Sequence, residues 1–328
     1  MKDVVFSGIQ PTGLIHVGNY LGAIRKWVAL QDRHPCYYCV VDYHAITAPY
    51  DPADLPRRTL EAVAANVAAG LDPDRSVIFV QSQIPEHTEL CWIFNAVTPV
   101  GELQRMTQYK DKARQRRESV NAGLLNYPIL QAADILLYRG TLVPVGEDQA
   151  QHLEFAREVA RRFNALYGET FPEPQVMLGD FPRVLALNDP AVKMSKSVPG
   201  SYIALTDEPE TIREAVAKAV TDTGPRTGNE MSPGVKNLFD LLGAFSSPDT
   251  VRRFQQAYQD GSLRYVELKR VLADDLVSAL EPVRRRYREL LARPDDIRDI
   301  VRNGADRARP VARATLAEVR EKVGILRV

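Results

Sequence analysis

Through about its first two-thirds the chain alternates short apolar runs, rich in β-branched residues, with longer helical stretches. This alternation restricts the fold more than any other feature. The runs at residues 4–6, 36–41, 76–81, 141–145 and 184–187 are apolar nearly throughout instead of at every second position. Strands of that kind are buried on both faces, as in a parallel sheet with helices on either side. Helical stretches at 19–30, 54–69, 86–97, 124–138 and 150–166 would supply those layers. In the second of them Leu60, Val63, Ala64 and Val67 fall on one stripe, and Gly70 stops it. Repeated strand–helix–strand units make a doubly wound α/β domain with a parallel sheet the expected fold.

After about residue 206 the strands stop and helical pattern takes over, at 209–220, 233–245, 250–260, 264–291 and 295–321, with Pro310 expected to break or kink the last. Residues 221–233, with Gly224-Pro225, Gly228 and Pro233, read as an exposed loop. At roughly 150 residues per domain, 328 residues make two. The expected division is an α/β domain over 1–206, including a helical insertion, and a helical region over 207–328.

Composition narrows the function classes. No apolar run nears the roughly 18 residues that would cross a bilayer, and Met1-Lys2-Asp3 leads straight into a strand without a secretory signal. Three cysteines exclude a disulfide framework and favour a reducing, cytoplasmic setting. Cys36-x-x-Cys39 has redox or zinc spacing, but there is no second pair, and positions i and i+3 of a strand face opposite sides. Core packing is the reading taken, and no metal site is assigned to protein side chains. Lys plus Arg and Asp plus Glu both number 42, so a nucleic-acid partner would have to be held by a local basic patch.

Two motifs can carry chemistry. Gly8 to Asn19, GIQPTGLIHVGN, follows the first strand and opens the first helix. Its glycines let backbone approach a ligand, and a helix N-terminus there points N–H groups at phosphate. The glycine pattern alone is equally compatible with a tight strand–helix turn, and it is no P-loop. The second motif is Lys193-Met194-Ser195-Lys196-Ser197, a lysine pair suited to phosphate oxygens. Taken alone, it would read as an ordinary surface loop.

Together the motifs resemble the paired signatures of class I aminoacyl-tRNA synthetases: His16-Val17-Gly18-Asn19 and a literal KMSKS. The strings GIQP at Gly8–Pro11, VDYHAIT at Val41–Thr47, AADILLY at Ala132–Tyr138 and VPVGEDQ at Val143–Gln149 resemble the bacterial tryptophanyl-tRNA synthetases, over essentially the full chain. The resemblance implies a Rossmann-like, HUP-type catalytic domain that uses ATP to activate L-tryptophan and then charges tRNA(Trp), acting as a homodimer. It implies that Gln10, Pro11, Thr12, Gly18 and Asn19 line the ATP site, with His16 at the phosphates. Gly146, Glu147 and Asp148 would lie near the ribose, and Val184 would meet the adenine through its backbone. Lys193, Met194, Ser195, Lys196 and Ser197 would bind ATP, the two lysines following charge onto pyrophosphate, with Lys110 a further phosphate-facing lysine. Mg²⁺ would ride on the ATP phosphates.

Asp134 would accept the indole N–H, with Phe6, His44 and Gln131 as pocket neighbours. Gln131 departs from the methionine of many bacterial relatives and could bond the amino acid or Asp134. By the same resemblance the C-terminal helices would read the anticodon; in a neutral protein holding an anion, the basic runs Arg284–Arg286 with Arg288, and Lys110–Arg117, are where phosphate contacts should fall. The helices at 86–97 and 124–138 are the expected dimer surface. The nearest rival is tyrosyl-tRNA synthetase, since a phenol could also donate to Asp134. Further rivals are an adenylating enzyme of related fold that never meets RNA and a non-catalytic paralogue.

Overall fold

Apolar runs that can be covered on both sides pair side by side in one direction, and they do so here. The computed structural model describes residues 3–110, 120–146, 149–178, 181–195, 198, 200–221 and 231–326. Its sheet has five strands: β1 Val5–Ile9, β2 Cys36–Val40, β3 Val77–Val80, β4 Leu142–Val145 and β5 Gln175–Leu178. They lie in the order β3-β2-β1-β4-β5, every pair parallel. The order reverses between β1 and β4, so loops leaving those two strands diverge and open a crevice at their carboxyl ends.

Around the sheet run α1 over residues 17–30, α2 Asp42–Ala45, α3 Leu55–Ala68, α4 Glu86–Val97, α5 Val100–Arg105, α6 Ala122–Leu137 and α7 Ala150–Tyr167. Then follow α8 Pro209–Ala217, α9 Pro233–Phe245, α10 Pro248–Gln259, α11 Tyr265–Leu291 and α12 Pro294–Val323. Ser232 and Ser247 cap α9 and α10 by accepting from Val235 N and Thr250 N, each followed by a proline whose absent N–H would be unpaired there anyway. No helix among the described residues is long and apolar enough to cross a membrane.

The sheet divides the core by side-chain alternation. Val5, Cys36, Tyr38 and Val40 face one cluster, with α1, α3 and the helices of 209–291. Phe6, Cys39 and Val41 face the other, with α4, α6 and α7. Cys36 and Cys39 therefore sit on opposite faces, both buried. Helix α12 spans both clusters and covers edge strand β3, where Gly304 comes so close that a Cβ would run into the Ile78 carbonyl.

Several elements differ from the sequence reading. Residues 184–187 are not a strand of the sheet. Leu185 makes only an isolated antiparallel bridge with Lys193, while the fifth strand is Gln175–Leu178. Helix α1 starts at Val17 and passes through a π-helical turn at Tyr20–Ile24. Helix α12 runs unbroken through Pro310, which is exposed along with Asp306, the residue whose carbonyl loses its partner. Most of the loop at 221–233 lies outside the described residues.

Candidate active site

The turn after β1 brings the chain to the crevice. Gly13 has φ 125°, a left-handed value that a side chain would resist. His16 then caps α1 in both directions: its N–H donates to Asn19 Oδ1 at 3.2 Å, and its Nδ1 accepts from Asn19 N–H at 3.3 Å. That bond leaves the proton of a neutral His16 ring on Nε2. Gly18 packs beneath the ring, where a Cβ would come 3.0 Å from Nδ1. Gln10 and Thr12 are exposed and Pro11 is buried between them.

The lysine loop returns to this helix mouth. Ala186 N donates to Val192 O at 2.9 Å and Met194 N to Val184 O at 3.0 Å, so Val184 is tied to the loop. Beyond the loop, Ser201 donates to the Ser195 carbonyl, and residues 203–205 bond back to Ile15 and Val17. Met194 is 1% exposed, and its Sδ would lie 3.5 Å from a Cβ on Gly18. The two signature motifs thus lie side by side at Gly18 and Met194, 176 residues apart by number, with no room between them for more than a methyl group. Lys193 is half-buried; Lys196, Ser197, Glu147 and Asp148 lie outside the described residues. Gly146 is half-buried at the end of β4. Lys110 is exposed in a helical stretch whose Thr107 bonds Gln151 of α7 through both N–H and hydroxyl, at 3.0 and 2.6 Å.

Asp134 lies on the inner face of α6, 2% exposed. His44 Nε2 donates to its Oδ2 at 2.8 Å; Gln81 Nε2 and His87 Nδ1 donate to Oδ1 at 2.7 and 2.6 Å. Burial opposes its charge, but hydrogen bonds from His44 and His87 outweigh that and bring the carboxyl from 3.8 down to about 2. His87 Nε2 pairs with the Tyr138 hydroxyl at 2.9 Å, and burial pushes that phenol far above its ordinary pKa. Phe6 stacks on Tyr138 at 5.7 Å between ring centroids. Gln131 does not bond Asp134: its Nε2 donates to Gln149 Oε1 at 3.5 Å.

The sequence reading missed Gln81, His87 and Tyr138 in this cluster. Two signals were available. Gln81 is polar directly after the apolar strand β3, at a carboxyl end, and His87 shares the inner stripe of α4 with Leu90 and Phe94. The C-terminal basic run is also less open than its sequence suggests. Arg284 is buried and bonded to Val277 O and Glu281, and Arg288 pairs with Glu208.

A glycine-rich helix mouth beside a lysine loop, at the switch point of a parallel sheet, defines a nucleotide site of the class I aminoacyl-tRNA synthetase kind. Residues 2–281 match the profile of the tRNA synthetases class I (W and Y). A tryptophan–tRNA ligase of Clostridium acetobutylicum is 44% identical over 331 residues, covering 99% of this chain and 98% of that one. The tryptophanyl-tRNA synthetase of Mycoplasma pneumoniae superposes with a TM-score of 0.88 at 32% identity, covering 99% of both chains. That of Campylobacter jejuni, solved with ADP and tryptophan, gives 0.85 at 34%, covering 98% of this chain and 100% of the other. The chain belongs to the tryptophan–tRNA ligase family.

Proposed function

We infer that the chain is a tryptophan–tRNA ligase. The carboxylate of L-tryptophan attacks the α-phosphorus of ATP, forming tryptophanyl-adenylate and expelling pyrophosphate; the terminal ribose hydroxyl of tRNA(Trp) then takes the acyl group and releases AMP. The observation that carries this reading is that Met194 lies beside Gly18, its Sδ 3.5 Å from where a Cβ would be, which sets the helix mouth next to the lysine loop. The carboxylate is already a nucleophile, so the site has chiefly to align it and stabilise charge on the leaving group.

In this reading His16, Gly18 and Asn19 receive the triphosphate and Gln10, Pro11 and Thr12 line its path. Gly146, Glu147 and Asp148 meet the ribose, and the Val184 backbone meets the adenine. Lys193 and Lys196 follow charge onto pyrophosphate, steadied by Met194, Ser195 and Ser197, with Lys110 at the rim. Mg²⁺ would be carried by the phosphates. Mg²⁺ keeps several waters, so phosphate oxygens and water would make up most of its shell. Asp134 accepts the indole N–H, with Phe6, His44 and Gln131 around the pocket.

We further propose a catalytic domain over 1–206, a helical tRNA-binding region over 207–328, a cytoplasmic setting and a homodimer. Since α6 is mostly buried between α4 and α7, the dimer surface narrows to the α4 side, where Trp92 is 76% and Val100 58% exposed. ATP–pyrophosphate exchange with tryptophan and tyrosine side by side tests the assignment. Exchange with tryptophan followed by charging of tRNA(Trp) is expected. A tyrosine preference would transfer the chain to the tyrosyl enzymes, and activation without charging would make it an RNA-independent adenylating enzyme.

A further inference from the structure

We infer that His87 is a positioning residue for amino-acid selection: together with Gln81 it fills Asp134 Oδ1, so that Oδ2 alone has an acceptor site left for the substrate's N–H. The inference rests on the reading of Asp134 as the indole acceptor and gives that acceptor a direction. An ionised carboxylate offers about four acceptor sites, two on each oxygen. Oδ1 receives Gln81 and His87, and Oδ2 receives His44. Three donors thus leave one site, and it lies on Oδ2.

The donors on Oδ1 are themselves held. Gln81 Oε1 accepts from Tyr43 N–H at 3.1 Å, so turning its amide over would break a bond at each end. His87 Nδ1 faces a carboxylate, which only accepts, and therefore carries a proton; with the ring neutral, Nε2 accepts from the Tyr138 hydroxyl. Tyr138 is fixed in turn between Phe6 and Tyr37, with ring centroids at 5.7 and 4.7 Å. Gln81 and His87 are fully buried, so water does not compete for either bond. The second torsion of an aspartate side chain is broad, and a carboxylate without these anchors would rotate about it. The anchors make it a fixed acceptor aimed along one line. An indole N–H arriving on that line is bound, and phenylalanine leaves the site on Oδ2 unfilled.

The test is ATP–pyrophosphate exchange with tryptophan and with phenylalanine on His87→Leu, His87→Asn and Asp134→Ala, each checked by thermal melting. We expect His87→Leu to raise the KM for tryptophan about tenfold, the scale of one hydrogen bond to a charged group. The tryptophan-over-phenylalanine ratio should fall by a similar factor, with kcat much less affected. His87→Asn, whose amide nitrogen can take the place of Nδ1, should recover most of the loss. A folded His87→Leu enzyme with unaltered KM and selectivity overturns the inference, as does one in which kcat alone falls. Selectivity lost in Asp134→Ala but kept in His87→Leu removes the inference and spares the reading beneath it; selectivity kept in both removes that reading. If His87→Leu does not fold, ¹⁵N-histidine spectra of the unaltered protein decide. The His87 Nδ1–H resonance should move on adding tryptophan and stay in place on adding ATP alone. A resonance that ignores tryptophan overturns the inference.

Discussion

Asp134 holds a charge where there is almost no water, and in the proposed reading the groups that let it do so also determine what it can select. The carboxyl titrates at about 2 in the fold against 3.8 for an ordinary aspartate. Its ionised form therefore stabilises the fold above pH 3.8, and that contribution is lost as pH falls from 3.8 towards about 2. Urea midpoints across this window should drop more steeply for the unaltered protein than for Asp134→Asn. Asp134→Ala should lose discrimination against phenylalanine in pyrophosphate exchange, because a buried acceptor no longer demands a donor. Lys196→Ala should slow exchange by about a hundredfold, the scale of one lost transition-state charge contact. Tryptophan binding, followed by equilibrium dialysis, should change little. Asp134 is legible in sequence as the single acid in the apolar run 124–138. Its partners are not, since Gln81 and His87 are 53 and 47 residues away on other elements and only the fold makes them neighbours.

At the level of elements, apolarity reports burial more faithfully than strand pairing. Residues 184–187 look like a strand because Val184, Ala186 and Leu187 are buried, yet they pack as an extended loop braced by the lysine motif. Gln175–Leu178 pairs on one side only, with β4, leaves Val176 exposed, and follows two prolines, so its sequence is weakly strand-like. The helices are more legible, because a caps-and-stripe pattern is local: α4 and α9 have the bounds their sequence implies. Helix α12 closes the β3 edge, which would otherwise present unpaired backbone groups to solvent. The device depends on Gly304. Gly304→Ala should destabilise the protein by about 1–3 kcal/mol, as an overfilled contact does, visible as a lower urea midpoint. An unchanged midpoint would mean that α12 can lift from the strand without loss.

The whole molecule carries no formal net charge, yet its proposed partner is a polyanion. Its grip on tRNA must then come from local basic surface, and Arg284 and Arg288 are partly withdrawn from that surface by burial and by Glu208. Raising salt from about 50 to 200 mM should therefore weaken tRNA charging through its KM, since phosphate contacts release counterions, while exchange with tryptophan is much less affected. Equal sensitivity of both steps would indicate that salt acts on the fold or on ATP. The most direct test of the account is a crystal structure with tryptophan and a non-hydrolysable ATP analogue. It should place the indole nitrogen within hydrogen-bonding distance of Asp134 Oδ2, and the phosphates between the helix mouth at residues 16–19 and the Lys193 loop. An indole nitrogen facing hydrocarbon, or phosphates bound away from both motifs, would contradict it.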